Sequence, residues 1–200
     1  FAKGNNIGIR AASGRDIVLL NNDTVVPPHW LKRMSEHALR IPDLGILGPS
    51  TNTETSQVLP GARYQSVPEF FDYNRQVEAR HRGEWQRVGK ISGLCMYLPR
   101  HTIEKVGLLD ESYGIGYFED DDYCLRAEDA GLKTIWAKDI YVHHFGSMSF
   151  EGNSMKRDRY LEAGMARFAF KWGKRGLEHI AKAHNETLLC LRKPERIELV

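Results

Sequence analysis

Arg15-Asp16-Ile17-Val18-Leu19-Leu20-Asn21-Asn22-Asp23-Thr24 reads as an apolar run that stops at a polar cluster. Four consecutive aliphatic residues suit a strand buried on both faces, as in a parallel sheet. Asp23 then falls just past the carboxyl end of that strand. In open α/β sheets this edge is where ligands bind. A carboxylate there, flanked by the amides of Asn21 and Asn22, can hold a hard divalent cation through oxygen. The same residues are also ordinary turn and helix-cap chemistry, and the segment alone favours that use.

Working outward, residues 2–12 read as a short helix closed at Gly14. Downstream, Pro27-Pro28 end any strand and can open a helix. Trp30, Leu31, Met34, Ala38 and Leu39 recur with helical spacing, stopping before Pro42. Residues 45–48 read as a strand. Residues 51–89 are irregular, with a helix over 69–82. A strand over 91–98, a helix over 100–106 and a glycine-and-aromatic loop over 110–118 follow. Glu119 opens a helix closed by Gly131. Residues 133–136 and 140–144 are strand-like, 155–172 are helical, and 173–200 are charged. Strands alternating with helices make the class α/β.

With 28 Lys plus Arg and 26 Asp plus Glu, the net charge of +2 argues against a nucleic-acid binder. No apolar run approaches the roughly 20 residues that span a bilayer. Cys95, Cys124 and Cys190 have no zinc spacing, which suits a reducing, cytoplasmic setting. The chain opens on Phe1 and runs at once into a Gly- and Asn-rich stretch, so it reads as a piece of something longer.

Phe118-Glu119-Asp120-Asp121-Asp122-Tyr123-Cys124-Leu125-Arg126 is the sharpest feature. Four adjacent carboxylates repel, and a helix N-terminus is where they are best tolerated. Asp122 and Arg126 are spaced to pair across one turn. The glycines and aromatics of residues 113–118 suggest a shaped surface before the acids. A carboxylate crowded there gains proton affinity and can serve as a general base. A solvated charge run is the plainer alternative. Near the end of the last strand, His143 and His144 point to opposite faces, so one of them can reach a given site.

Taken in order, these segments resemble the inverting GT-A-fold nucleotide-sugar glycosyltransferases of family 2, the bacterial rhamnosyl- and galactofuranosyltransferases in particular. Residues 1–8 look like the Asn-x-Gly helix before that family's metal strand. Leu20-Asn21-Asn22-Asp23-Thr24 is similar to its Asp-x-Asp motif, with Asn21 in place of the first Asp. Ser92-Gly93-Leu94-Cys95-Met96, Val106-Gly107-Leu108-Leu109-Asp110-Glu111, Glu119-Asp120 and His144-Phe145-Gly146-Ser147 continue the match.

The resemblance covers roughly residues 1–172, read as a GT-A domain lacking its N-terminal nucleotide-binding units. Residues 173–200 would be a C-terminal helical extension. It implies Asp120 as catalytic base, supported by Glu119. It implies Asp23 and His144 as ligands to Mg²⁺ or Mn²⁺, with His143 as the substitute. Donor contacts would come from Asn6, Asn21 and Asn22, and acceptor contacts from Gly93, Asp110 and Tyr117. Arg126 would brace the acidic helix through Asp122.

The implied partners are a nucleoside-diphosphate sugar and a glycan or lipid-linked hydroxyl acceptor. Acceptor choice would lie in residues 51–89, whose Tyr64, Phe70, Phe71, Tyr73 and Trp85 could stack on sugars or simply pack the core. Self-association through an uncovered sheet edge is expected. Lys156, Arg157, Arg159, Arg167, Lys171, Lys174 and Arg175 could touch an anionic membrane at its inner face, or form a solvated helix face. Three other readings stay open: a catalytically silent glycan- or nucleotide-sugar-binding domain, a metal-dependent phosphohydrolase, and a structural or docking fragment of a larger synthase.

Overall fold

In chain order the elements are α1 (Ala2–Ala11), β1 (Asp16–Leu20), β2 (Thr24–Val25), α2 (Trp30–Arg40), β3 (Leu44–Thr51), α3 (Val67–His81), β4 (Trp85–Arg87), β5 (Cys95–Pro99) and α4 (Arg100–Val106). A 3-10 turn (Glu111–Tyr113), α5 (Glu119–Asp129), β6 (Lys133–His144) and α6 (Arg157–Arg192) complete them. This computed structural model describes residues 1–52, 57–59, 61–146 and 157–192. The expected helix start at residue 155, Ser147 and Lys156 lie outside the described residues.

The strands form one mixed sheet in the order β1-β5-β3-β6-β2, with β4 also pairing β6. β3 and β6 run parallel, while β1–β5, β3–β5, β4–β6 and β2–β6 are antiparallel. The strands buried on both faces are β3 and β5, every residue of which is buried. This corrects the reading of β1. Among the described residues β1 pairs with β5 alone, with Ile17 and Leu19 buried and Leu20 40 % exposed. A run of four aliphatics cannot by itself distinguish an end strand from a central one. Which strand has neighbours on both sides depends on partners distant in the chain.

β6 joins the two strand-like pieces into one. Its pairing to β3 shifts register between Pro49 and Ser50, so residues 138–140 bulge out of the ladder. Pro49 has no N–H to continue that ladder. The bulge turns Asp139 toward α2, where its carboxylate meets His37 Nε2 at 2.7 Å and accepts from Gly83 N at 2.9 Å. β4 was not anticipated. It forms on exposed residues by pairing to β6. Residues 91–94, expected in a strand, form the turn that enters β5. α1 stops at Ala11 rather than running to Gly14, because Ala12 is extended.

Helices cover both faces of the sheet. On one, Ile46, Met96, Leu98 and Trp136 pack with Tyr123, Cys124 and Ala127 of α5. On the other, Leu47, Tyr97, Ile135 and Val142 pack with Met34 of α2. α3 is capped by Ser66, which accepts from Glu69 N, while Glu69 accepts from Gln65 N. Tyr64, Phe70, Phe71 and Tyr73 pack around Tyr141 and His143, so these aromatics serve the core. Trp85 is 47 % exposed.

α6 bends at Gly173, where the backbone leaves helical geometry (φ 52°, ψ −134°). Its Phe168 is fully buried against Tyr113 and Leu125. Two of the basic residues expected on an outward face stay exposed but are paired with carboxylates of α5 and the loop before it. Lys171 pairs with Asp110 and Asp122, and Arg175 with Glu128 and Asp129. Among the described residues, no helix is long and apolar enough to cross a membrane.

Candidate active site

Asp23 and His144 meet because β2 pairs with the end of β6, Thr24 opposite His144. His144 Nε2 lies 3.1 Å from Asp23 Oδ1, and Asn21 Nδ2 lies 3.3 Å from the same ring nitrogen. Phe145 N donates to Asp23 O, and Thr24 Oγ1 donates to Asn21 O. Asn52 clamps the His144 backbone from both sides, accepting from its N at 2.8 Å and donating to its O at 3.0 Å. His143 points the other way, with Nδ1 2.6 Å from Tyr64 Oη, inside the aromatic cluster. Strand alternation therefore separates the two histidines, and His144 is the one beside Asp23.

His144 Nδ1 is buried and has no hydrogen-bond partner among the described residues. Among the described residues no three His, Cys, Asp or Glu side chains are grouped as a metal cage. One carboxylate and one imidazole, side by side, form a two-donor set. Such a set suits a divalent ion whose other positions are filled by water and substrate phosphates.

The acidic helix start meets the turn over residues 91–94 that enters β5. Gly93 N donates to Asp120 Oδ2 at 3.0 Å, and Asp121 N donates to Asp120 Oδ1 at 2.9 Å. The next residue, Leu94, accepts from Asn21 N at 2.9 Å. Two consecutive residues of one turn thus contact both halves of the site. Gln57, fully buried, steadies this turn by accepting from Ser92 N and donating to Pro49 O.

Glu119, Asp120, Asp121 and Asp122 are all buried. Their entry is strained: Tyr117 and Phe118 both sit at positive φ (73° and 70°). α6 comes against this bend at Gly164, where a Cβ would lie 2.7 Å from Tyr117 O and 3.2 Å from Phe118 Cδ2. Gly164→Ala is expected to cost about 1–3 kcal/mol by overpacking, read as a lowered urea midpoint. An unchanged midpoint would show that the loop yields freely.

Burial raises the Asp120 carboxyl, and Lys90 opposes that shift. Burial, then the neighbouring Asp120 charge, pushes Glu119 up to about 8, and its Oε2 is buried without a partner among the described residues. The native state therefore holds a proton that the unfolded chain releases near 4.5. The stability this contributes is full below that value and falls as pH rises toward and through about 8. Glu119→Gln should flatten this part of the slope in urea melts between about pH 5 and 8. An undiminished slope would place the titration elsewhere.

Several expected site residues have other tasks. Asn6 is 1 % exposed. Its amide donates to Leu109 O and Glu111 Oε1 and accepts from Leu109 N, so it braces a loop rather than facing a donor. Asp110 accepts from Ser112 N and pairs with Lys171. Gly93 is buried and orients Asp120 through its N–H. Asn22 is exposed beside Asp23, and Tyr117 lies at the strained entry to α5. Arg126 pairs with Asp122 at 2.8 Å as anticipated, and also donates to Val106 O and Leu108 O.

Sequence reasoning missed Asn52, Gln57, Lys90 and His179. None lies in a patterned segment, and no local signal distinguishes them.

The mixed sheet with helices on both faces is that of the GT-A-like class. The chain belongs to the glycosyltransferase-like family 2, whose model matches residues 1–161. It is similar to the uncharacterized protein y4gI of Sinorhizobium fredii (strain NBRC 101917 / NGR234), 27% identical over 171 residues. That match covers 78% of this chain and 18% of the relative, so the chain spans less than a fifth of the relative's length.

Proposed function

We propose that the protein transfers a sugar from a nucleoside-diphosphate donor to a hydroxyl of a glycan or lipid-linked acceptor, inverting the anomeric centre. Family membership supports glycosyl transfer in general. The observation that carries the finer reading is the turn at residues 92–94, bonded to Asn21 on one side and Asp120 on the other. It supports the reading by linking Asn21, whose amide lies beside His144, and the buried Asp120 carboxylate to one turn.

In this reading Asp23 and His144 hold Mg²⁺ or Mn²⁺, with Asn21 and Asn22 beside the donor diphosphate. The ion, when bound, offsets charge developing on the leaving nucleoside diphosphate. Asp120 takes the acceptor hydroxyl's proton as that oxygen attacks the anomeric carbon from the opposite face. One displacement forms the new glycosidic bond and breaks the sugar–phosphate bond. Burial and the Asp120 charge favour the protonated form of Glu119, which leaves Asp120 as the basic member of the pair in this reading.

Asp23→Ala and His144→Ala are each expected to abolish Mn²⁺ binding, read by electron paramagnetic resonance. With a panel of nucleoside-diphosphate sugars, the full-length protein should release nucleoside diphosphate in a Mn²⁺- or Mg²⁺-dependent way. Release of inorganic phosphate instead would mark a phosphohydrolase. Undiminished Mn²⁺ binding in both variants would remove the metal assignment.

A further inference from the structure

Glu119, Asp120 and Asp121 are consecutive buried carboxyl groups. In a low-dielectric setting adjacent carboxylates resist ionising together. Lys90 reaches them from the segment between β4 and β5. Its Nζ is hydrogen-bonded to Asp121 Oδ2 and stands 3.7 Å from Asp120 Oδ1. The other oxygen of Asp121 meets His179 Nε2 at 3.0 Å. His179 is buried and belongs to the part of α6 beyond the bend at Gly173. A Cβ on Gly89 would touch the His179 ring and Lys182 Cδ at 3.9 Å, so α6 lies over the segment that carries Lys90.

The two distances have different consequences. At 3.7 Å the ammonium is in ion-pair range of Asp120 but outside hydrogen-bond range. It lends charge to the carboxylate without donating a hydrogen bond that would occupy its basic oxygen. The oxygens of Asp120 are oriented by the Gly93 and Asp121 N–H groups.

We propose that Lys90 is a positioning residue for Asp120: its ammonium, anchored by Asp121 and through it by His179 of α6, keeps the Asp120 carboxylate ionised and available. The inference rests on the reading of Asp120 as the base and concerns how its charge is maintained. Among the described residues the groups facing Asp120 are Glu119 and Asp121 from α5 and Lys90 from the segment between β4 and β5, and the Phe1 amino group acts on Glu119 beside it. His179 stands behind Asp121, and Cys124, one turn further along α5, accepts from Ile91 N. Burial opposes the charge on Lys90, yet Asp120 and Asp121 hold it protonated well above the usual lysine range.

The test is a carboxyl ¹³C NMR titration of the 200-residue chain, with the Asp120 signal assigned by its absence in Asp120→Asn. In Lys90→Met and Lys90→Gln the Asp120 midpoint is expected to rise by about one pH unit or more, the size of effect a nearby opposite charge exerts. In Lys90→Arg it should stay near the parent value. Lys90→Gln keeps a hydrogen-bond donor for Asp121, so it carries the test where Lys90→Met fails to fold. A merely structural tether would leave Lys90→Gln at the parent midpoint. That result, or an equal rise in Lys90→Arg, would overturn the inference. The base assignment is judged separately, by the activity of Asp120→Asn.

Discussion

Asp120→Asn is expected to lower the rate of sugar transfer by at least ~10²-fold, within the ~10²–10⁴-fold that a positioned base contributes. The argument is geometric. Asp120 is buried, oriented by two backbone N–H groups, and set where the turn that contacts Asn21 also contacts it. An amide keeps an acceptor oxygen for one of those N–H groups but has no proton affinity at neutral pH. The fold should survive, because the substitution removes a charge from a row of four acidic residues. Thermal melting checks the fold, and nucleoside-diphosphate release in the full-length protein checks the rate. Transfer at the parental rate in a folded variant would assign the base elsewhere.

Asp122→Ala is expected to be the most destabilising change in the same helix, by about 3–5 kcal/mol. Asp122 has no exposed surface, yet it is shared by three elements. Arg126 Nε lies 2.8 Å away, Trp172 Nε1 donates at 2.9 Å, Lys171 Nζ lies at 2.7 Å and Tyr113 Oη at 3.4 Å. The carboxylate ties α5 to α6 and to the loop before α5. Removing it leaves the Trp172 and Tyr113 donors unpaired, and the Arg126 and Lys171 cations without their shared anion, in a partly buried setting. Chemical denaturation measures the effect. A loss under about 1 kcal/mol would mean that the network is replaced by water at little cost.

Two neighbouring aspartates thus have separate tasks, which their identity alone does not assign. Asp121 and Asp122 both point into the protein, one toward Lys90 and His179, the other toward Arg126 and α6. The Asp122–Arg126 pair was legible from spacing, because residues four apart on a helix meet wherever the helix lies. The Asp121–His179 pair was not, because it depends on the bend at Gly173 returning α6 to the site.

The same division holds for the sheet. Strand runs and helical spacings located β1, β3, α2, α3, α4 and α5 to within a few residues, and the α/β class followed. β4 did not register, since three exposed residues carry no apolar pattern and pair only because β6 is there to receive them. His143 and His144 illustrate the boundary most sharply. Alternation required them to face opposite sides. The family resemblance pointed to His144, and the pairing of β2 with β6 is what sets it beside Asp23.

What the sequence by itself determined is the inventory and its order: apolar strands, a carboxylate after the first of them, an acidic helix start, and a histidine at a strand end. These are properties of neighbours along the chain, where backbone geometry translates spacing into local shape. What only the tertiary structure decided is the company each group keeps. Lys90, Asn52, Gln57 and His179 act on residues tens of positions away, and burial, the source of the altered acidities here, is a property of the folded whole.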